Sequence, residues 1–112
     1  MEGIALRRGH TVVCVLKGDY GKPRPAVVVQ SDLYNPTHAS VTICPLTSHQ
    51  IEAPLFRLPV EPRPRNGLDR PSQIMVDKVV SIKAERVREK IGRLSDEQMD
   101  QLDAALKRWL DL

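Results

Sequence analysis

One arginine with a proline on either side, Pro23-Arg24-Pro25, runs directly into the valine-rich segment 26–29. Proline fixes its own φ and pushes the residue before it toward extended geometry. The segment that follows is β-branched and apolar on both faces, which is typical of a buried strand. The sequence therefore predicts a rigid strand with a permanent cation at its mouth, suited to holding a phosphate or an oxyanion. The alternative interpretation is a surface arginine in a proline-rich turn.

The length and composition limit the class of protein. A chain of 112 residues predicts one domain, over residues 1–112, and its net charge of +3 permits a nucleic-acid partner without requiring one. Cys14 and Cys44 each lie inside an apolar segment, as packing residues do in a reducing compartment. The sequence has no apolar run long enough for a membrane span and no signal-peptide pattern, so we expect a cytoplasmic protein without membrane contact.

Short apolar segments separated by turn residues fill the first two thirds of the chain. They predict strands within about residues 9–82, at 11–16, 25–31, 40–46, 53–58, 73–76 and 79–82. Several prolines and the turn pair Asn66-Gly67 predict a long loop over 59–71, because proline donates no hydrogen bond to a sheet.

The end of the chain predicts one amphipathic helix over about residues 95–111. Ser95 and Gln98 have the spacing of a capping box, and Leu102, Leu106 and Trp109 then share one face. We expect this face, including Trp109, to pack on the sheet, although a partner groove is the alternative. Many short strands followed by one helix predict a mainly β (α+β) fold, a small, partly open antiparallel β-barrel with a C-terminal helix.

Five segments, taken in order, resemble the MazF/PemK (Kid) family of bacterial toxin ribonucleases. They are residues 8–13, 24–31, 45–48, 77–82 and 91–95, and together they extend over nearly the whole chain. The resemblance implies an SH3-like barrel, a homodimer, and a type II toxin that cleaves single-stranded RNA at specific sequences without a metal or other cofactor. It also implies neutralisation by a cognate antitoxin protein.

The resemblance also implies three catalytic residues. Arg24 matches the catalytic arginine of the family, and its planar fork suits the oxygens of a phosphate in the transition state. Thr47 matches the catalytic threonine, although a hydroxyl residue there is also typical of a turn or a helix cap. Asp77 matches an acid–base carboxylate of some members, and its alternative role is that of a turn aspartate.

The chain departs from the family beside Asp77. Relatives often have Asp-Gln-x-Arg where this sequence has Asp77-Lys78-Val79-Val80, and Met75 replaces an arginine that some members carry. The general base and the general acid therefore stay open, with Arg24 and Lys78 as alternative candidates for the acid.

Polar residues near these positions are candidates for binding the substrate RNA. Tyr20 can stack on a base while basic residues follow the phosphates, as in other single-strand readers. The candidates are Ser48, His10, Lys17, Tyr20, Lys22, His49 and Lys78, with Arg63, Arg65 and Arg70 beside the proline-rich loop. The histidines lack the spacing of a metal site, so none is expected.

Two other functions remain open. CcdB-like toxins use the same fold to poison DNA gyrase without catalysis, and their contacts come from C-terminal residues, near which this chain has Trp109. The second is a non-catalytic SH3-like module that binds nucleic acid or peptide. Arg24 and Thr47 separate these alternatives from a ribonuclease, because a protein that only binds does not need the pair.

Overall fold

The computed structural model describes residues 4–112, and within them one antiparallel sheet of seven strands is followed by one α-helix. The strands are β1 (His10–Val15), β2 (Pro23–Val28), β3 (Ser40–Thr47), β4 (Arg57–Val60), β5 (Ser72–Met75), β6 (Val80–Lys83) and β7 (Val87–Arg93), and the helix is α1 (Asp96–Leu110). The mainly β fold with a C-terminal helix is therefore confirmed. No helix within residues 4–112 is both long and apolar enough to cross a membrane.

The strands follow the order β4-β5-β3-β2-β1-β7, and β6 also pairs with β3. One edge of β3 is shared, since β6 pairs with Ser40 to Ile43 and β5 pairs with Leu46 and Thr47. In the described part of the chain, the end strands β4 and β7 do not pair with each other, so the sheet stays open.

The central strands are buried on both faces. Val27 of β2 lies in a cluster with Leu46, Ile74 and Leu102 beneath α1, whereas its neighbours Ala26 and Val28 lie in a second cluster on the opposite face. This double burial explains the apolar run of β2, because neither face of the strand meets water. Both cysteines are buried thiols, and burial raises the pKa of Cys14 to about 11 and that of Cys44 to about 12.

Helix α1 begins at the predicted capping box. The Ser95 hydroxyl accepts a hydrogen bond from the Gln98 amide (3.1 Å), and the Gln98 side chain accepts one from the Ser95 amide (2.9 Å). Leu102 and Ala105 are buried against the sheet, as expected. The expectation for Trp109 is wrong, since it is 47% exposed and its ring lies 5.7 Å from that of Phe56. Every residue from 107 onward is exposed, so the last turn of α1 extends beyond the buried contact.

Two strands differ from the sequence-based expectation. The segment 53–57 forms a turn in which the amides of Phe56 and Arg57 both donate to the Ala53 carbonyl, so β4 begins only at Arg57. Strand β7 was not expected, and the strands continue to Arg93 rather than ending near residue 82. Register shifts between β1 and β7 break the alternation of apolar and polar residues that normally reveals a strand.

The loop between β4 and β5 is anchored to β1 and β7. Asn66 is 2% exposed, and its carbonyl accepts a hydrogen bond from the Thr11 hydroxyl (2.7 Å). Gly67 has a φ of 70°, and a Cβ atom added there would lie 2.2 Å from the Ile91 carbonyl oxygen. The predicted turn at Asn66-Gly67 is therefore also a close contact between the loop and β7.

We expect Gly67→Ala to lower the free energy of unfolding by at least about 3 kcal/mol, because backbone atoms of β7 must move to admit the methyl group. Gly18→Ala is the matched control. Gly18 also has a positive φ (94°) but has nothing within 4 Å of an added Cβ, so only the backbone cost of about 1–2 kcal/mol remains. Urea unfolding of both variants measures the difference, and equal losses would contradict the contact.

Candidate active site

The start of β2 and the end of β3 bring Arg24 and Thr47 together. The two strands pair through Ala26 with Pro45 and Val27 with Cys44, so Arg24 and Thr47 lie just beyond the paired residues, at the same end of the two strands. Both residues line one cavity of about 600 Å³, which we call the Arg24–Thr47 cavity. The two predicted catalytic residues therefore border a common space.

The Arg24 guanidinium is held from one side. Its Nε donates a hydrogen bond to Asp19 Oδ2 (2.9 Å), and the pair is about one-third exposed. Asp19 lies in a tight loop whose residues Gly18, Tyr20 and Gly21 all have positive φ. Within residues 4–112, the two terminal nitrogens of Arg24 form no hydrogen bond. They present a planar pair of donors, which is the geometry that binds a phosphate through two oxygens.

The Thr47 hydroxyl can both accept and donate a hydrogen bond, and in the part of the chain that the structure describes it is used only as an acceptor. Its oxygen accepts a hydrogen bond from the His49 amide (3.1 Å), which makes the turn that the alternative interpretation of this residue describes. A hydroxyl can donate its own proton while it accepts another, so the turn leaves a donor available for a phosphate oxygen.

Of the predicted substrate-binding residues, Lys22, Ser48 and His49 line the Arg24–Thr47 cavity. Arg70 also lines it, whereas Arg63 and Arg65 do not. The loop after β4 contributes one wall through residues 67–70, so the anchored loop described above forms part of the site.

A second cavity of about 550 Å³ lies on the other side of Arg24. We call it the Met75 cavity, and its lining is mainly apolar, with Leu16, Pro45, Met75 and Val80. Lys17 and Lys78, two of the predicted substrate-binding residues, also line it. Arg24 borders both cavities, and each of them has further basic residues in its lining.

Two predicted substrate-binding residues lie outside both cavities. Tyr20 is fully exposed at the tip of the loop between β1 and β2. His10 lies at the far end of β1, opposite Arg93, and its Nδ1 accepts a hydrogen bond from the Arg7 amide (3.1 Å). Burial and the nearby charge of Lys90 lower the pKa of His10, so neutral imidazole is favoured there.

Asp77 also lies outside both cavities, in a short 3₁₀ turn after β5. Its two carboxylate oxygens accept hydrogen bonds from Arg57 Nε (2.7 Å) and Nη2 (3.0 Å), and the two side chains are only 14% and 10% exposed. The hydrogen bonds from Arg57 lower the pKa of Asp77, and the same contact raises the pKa of Arg57. Arg57 was not singled out by sequence, because its partner lies 20 residues further along the chain.

Two acidic residues of the site were also missed. Asp19 belongs to no motif, and the only signal for it in the sequence is an acidic residue five positions before Arg24, with which it forms the observed contact. Glu89 lines the Arg24–Thr47 cavity from β7, the strand that the sequence did not reveal. Within residues 4–112, no group of three or more His, Cys, Asp or Glu residues is placed to hold a metal ion.

The chain is similar to proteins of known family. The family described as "PemK-like, MazF-like toxin of type II toxin-antitoxin system" matches residues 7–110. The chain is 38% identical over 108 residues to the "Probable endoribonuclease MazF" of Mycolicibacterium smegmatis, with 96% of this chain and 98% of that protein covered.

Solved structures share the fold. The Mycobacterium tuberculosis toxin MazF-mt6 is 25% identical and has a TM-score of 0.79, with 92% of this chain and 97% of that chain covered. A MazE–MazF crystal structure from Deinococcus radiodurans has a TM-score of 0.78 at 21% identity, with 97% and 98% covered.

We expect Asp77→Asn to lower the free energy of unfolding by about 3 kcal/mol at pH 7, because it leaves the nearly buried charge of Arg57 unpaired. The folded-state pKa of Asp77 is lowered, so its stabilisation is present above the unfolded pKa, about 3.9, and is lost as the pH falls through the folded value. The difference from the wild type should therefore shrink at pH 3 or below, as measured by urea unfolding.

Asp69→Asn is the control, because its pair with Arg70 is exposed and should contribute little. The same Asp77→Asn protein, assayed where it is folded, should retain cleavage of RNA. Loss of cleavage without loss of stability would instead support the acid–base role that the resemblance implies for Asp77.

Proposed function

Since this chain belongs to the family of PemK-like, MazF-like toxins of type II toxin–antitoxin systems, we propose that it cleaves single-stranded RNA by metal-independent attack of a ribose 2′-OH on the adjacent phosphate. It is an endoribonuclease, like the curated relatives that it matches, and a cognate antitoxin neutralises it. The observation that carries the mechanism is the placement of Arg24 and Thr47 in one cavity.

The reaction forms a bond from the 2′ oxygen to phosphorus and breaks the bond to the 5′ oxygen. The 2′-OH proton is lost to a base, the leaving 5′ oxygen gains a proton, and the products are a 2′,3′-cyclic phosphate and a 5′-OH. In the proposal, the terminal nitrogens of Arg24 bind the phosphate oxygens on which charge develops. The Thr47 hydroxyl donates to a further oxygen and fixes the line of attack.

The charges around the two cavities support a nucleic-acid chain as the substrate. Lys22 and Arg70 flank Arg24 on one side, and Lys17 and Lys78 flank it on the other. A phosphodiester backbone can follow these cations while its bases turn toward the apolar lining, as in other single-strand binders. In the proposal the protein acts in the cytoplasm, where its RNA lies.

We expect Arg24→Ala and Thr47→Val to lower the cleavage rate of long single-stranded RNA by about 10²–10³-fold, because each removes a donor to the developing charge. Arg88→Ala is the control, since Arg88 is exposed and lines neither cavity. The assay is run in excess EDTA, and the ends are identified by mass spectrometry.

Discrete fragments from the wild type and the control, ending in cyclic phosphate or 3′-phosphate, are the expected result. Equal cleavage by the Arg24→Ala protein would contradict the proposed site, and loss of wild-type cleavage in EDTA would contradict a metal-independent reaction. Intact RNA together with inhibition of DNA gyrase would instead support the alternative function, that of a CcdB-like gyrase poison.

We also propose that the chain forms a homodimer, as the family resemblance implies. Light scattering at micromolar concentration should give the mass of two chains of 12.6 kDa each. The mass of a single chain at all concentrations used for the RNA assay would contradict the proposed homodimer.

A further inference from the structure

Glu89 lines the Arg24–Thr47 cavity from β7, where it lies in one row across the sheet with a residue of β1 and a residue of β2. In β1, Val13 pairs with Pro25 of β2 on one side and with Glu89 of β7 on the other. Directly opposed residues project from the same face of a sheet. Val13 and Pro25 both line the cavity, so the pairing and the cavity agree on where the Glu89 side chain lies.

A β-bulge gives Glu89 this orientation. Val13 pairs with Glu89, but the next residue, Cys14, pairs with Val87, so Arg88 is an extra residue in β7. If the ladder continued from the Cys14–Val87 pair without the register shift, Glu89 would pair with Val12 and lie on the same face as Val87, and both of these valines are buried in the second cluster. Bulges commonly redirect side chains next to active sites. Here the bulge turns a carboxylate out of the core face and into the cavity.

The charge of Glu89 is unusual in its surroundings. The cavity is lined by Lys22, Arg24 and Arg70, and its other carboxylate, Asp69, is paired with Arg70 (3.3 Å). Within residues 4–112, Glu89 forms no salt bridge. A carboxylate repels a phosphate, so this end of the cavity is suited to a group that presents N–H donors rather than to the RNA backbone.

The position of Glu89 separates it from the reaction itself. Adjacent strands lie about 4.8 Å apart, and Glu89 is two strands from β2, which carries Arg24. The backbones of β7 and β2 are therefore about 10 Å apart, a spacing that suits contact of Glu89 with a nucleotide next to the cleaved phosphate rather than with the phosphate itself.

We propose that Glu89 is a specificity-determining residue that accepts two hydrogen bonds from the Watson–Crick edge of a guanine next to the cleavage site. Guanine presents two adjacent donors, N1–H and N2–H, which match the two oxygens of a carboxylate. Adenine and cytosine present one amino group beside an acceptor, and uracil presents one N–H between two acceptors. This inference rests on the proposed function, because it names a base read by the same cavity.

The test compares the wild type, Glu89→Gln, and the control Glu85→Gln, whose residue lines neither cavity. Each protein cleaves the same long RNA, and the cut sites are mapped by sequencing. We expect the wild type and the control to require guanine at one position beside the cut. Glu89→Gln should lose about tenfold or more of that preference, because its amide offers one acceptor where guanine needs two.

Short substrates with inosine in place of that guanine give a second readout. Inosine keeps N1–H and lacks the N2 amino group, so it should weaken cleavage by the wild type and have little effect on Glu89→Gln. An unchanged base preference in Glu89→Gln, or no guanine preference in the wild type, would overturn the inference while leaving the proposed function intact.

A binding measurement keeps the inference testable without catalysis. RNA with 2′-O-methyl groups cannot react, and fluorescence anisotropy measures its affinity with guanine, inosine or adenine at the mapped position. If the wild type does not cleave, so that no cut site is mapped, each position of the oligonucleotide is substituted in turn. A guanine preference of the wild type that Glu89→Gln lacks supports the inference, and equal affinities in both proteins overturn it.

Discussion

The burial of β2 on both faces of the sheet is the constraint on which the rest of the structure depends. Ala26, Val27 and Val28 are completely buried, and a shift of one residue would exchange the side chains of the two clusters. The register of β2 against β1 and β3 is therefore fixed by packing. That register brings Arg24 and Thr47 to the same end of the two strands and pairs Pro25 with Val13, so packing in the core places the residues that the strands contribute to the cavity.

The contact between Asp19 and Arg24 orients the guanidinium and contributes little to stability. The pair is about one-third exposed, and exposed ion pairs of this kind contribute about 0–1 kcal/mol to stability. Such a contact limits the rotamers of the guanidinium through Nε while leaving the terminal nitrogens for a phosphate. The nearly buried pair of Asp77 with Arg57 has a different role, because it joins β4 to the turn after β5.

The sequence predicted the elements whose signals are local. The proline and valine pattern located β2, the Ser95 capping box located α1, and the ordered resemblance singled out Arg24 and Thr47. Strand β7 escaped because Arg88 and Ile91 interrupt its alternation, and Glu89 escaped with it. The partner of Asp77 and the exposure of Trp109 depend on which distant segments meet, and no short pattern in one sequence encodes that. The sequence located the site more completely than it located the groups that support it.

The loop between β4 and β5 has a fixed part, residues 66 and 67, and a more exposed part, residues 68–70. Asn66 and Gly67 are fixed by Thr11 and by the backbone of β7, whereas the residues that follow them, through Arg70, face the cavity and are largely exposed. A rigid base with a permissive tip allows the tip to change in length or sequence without loss of the fold. Substitutions confined to the three residues after Gly67 can therefore reshape one wall of the cavity while the strands that carry Arg24 and Thr47 stay in place.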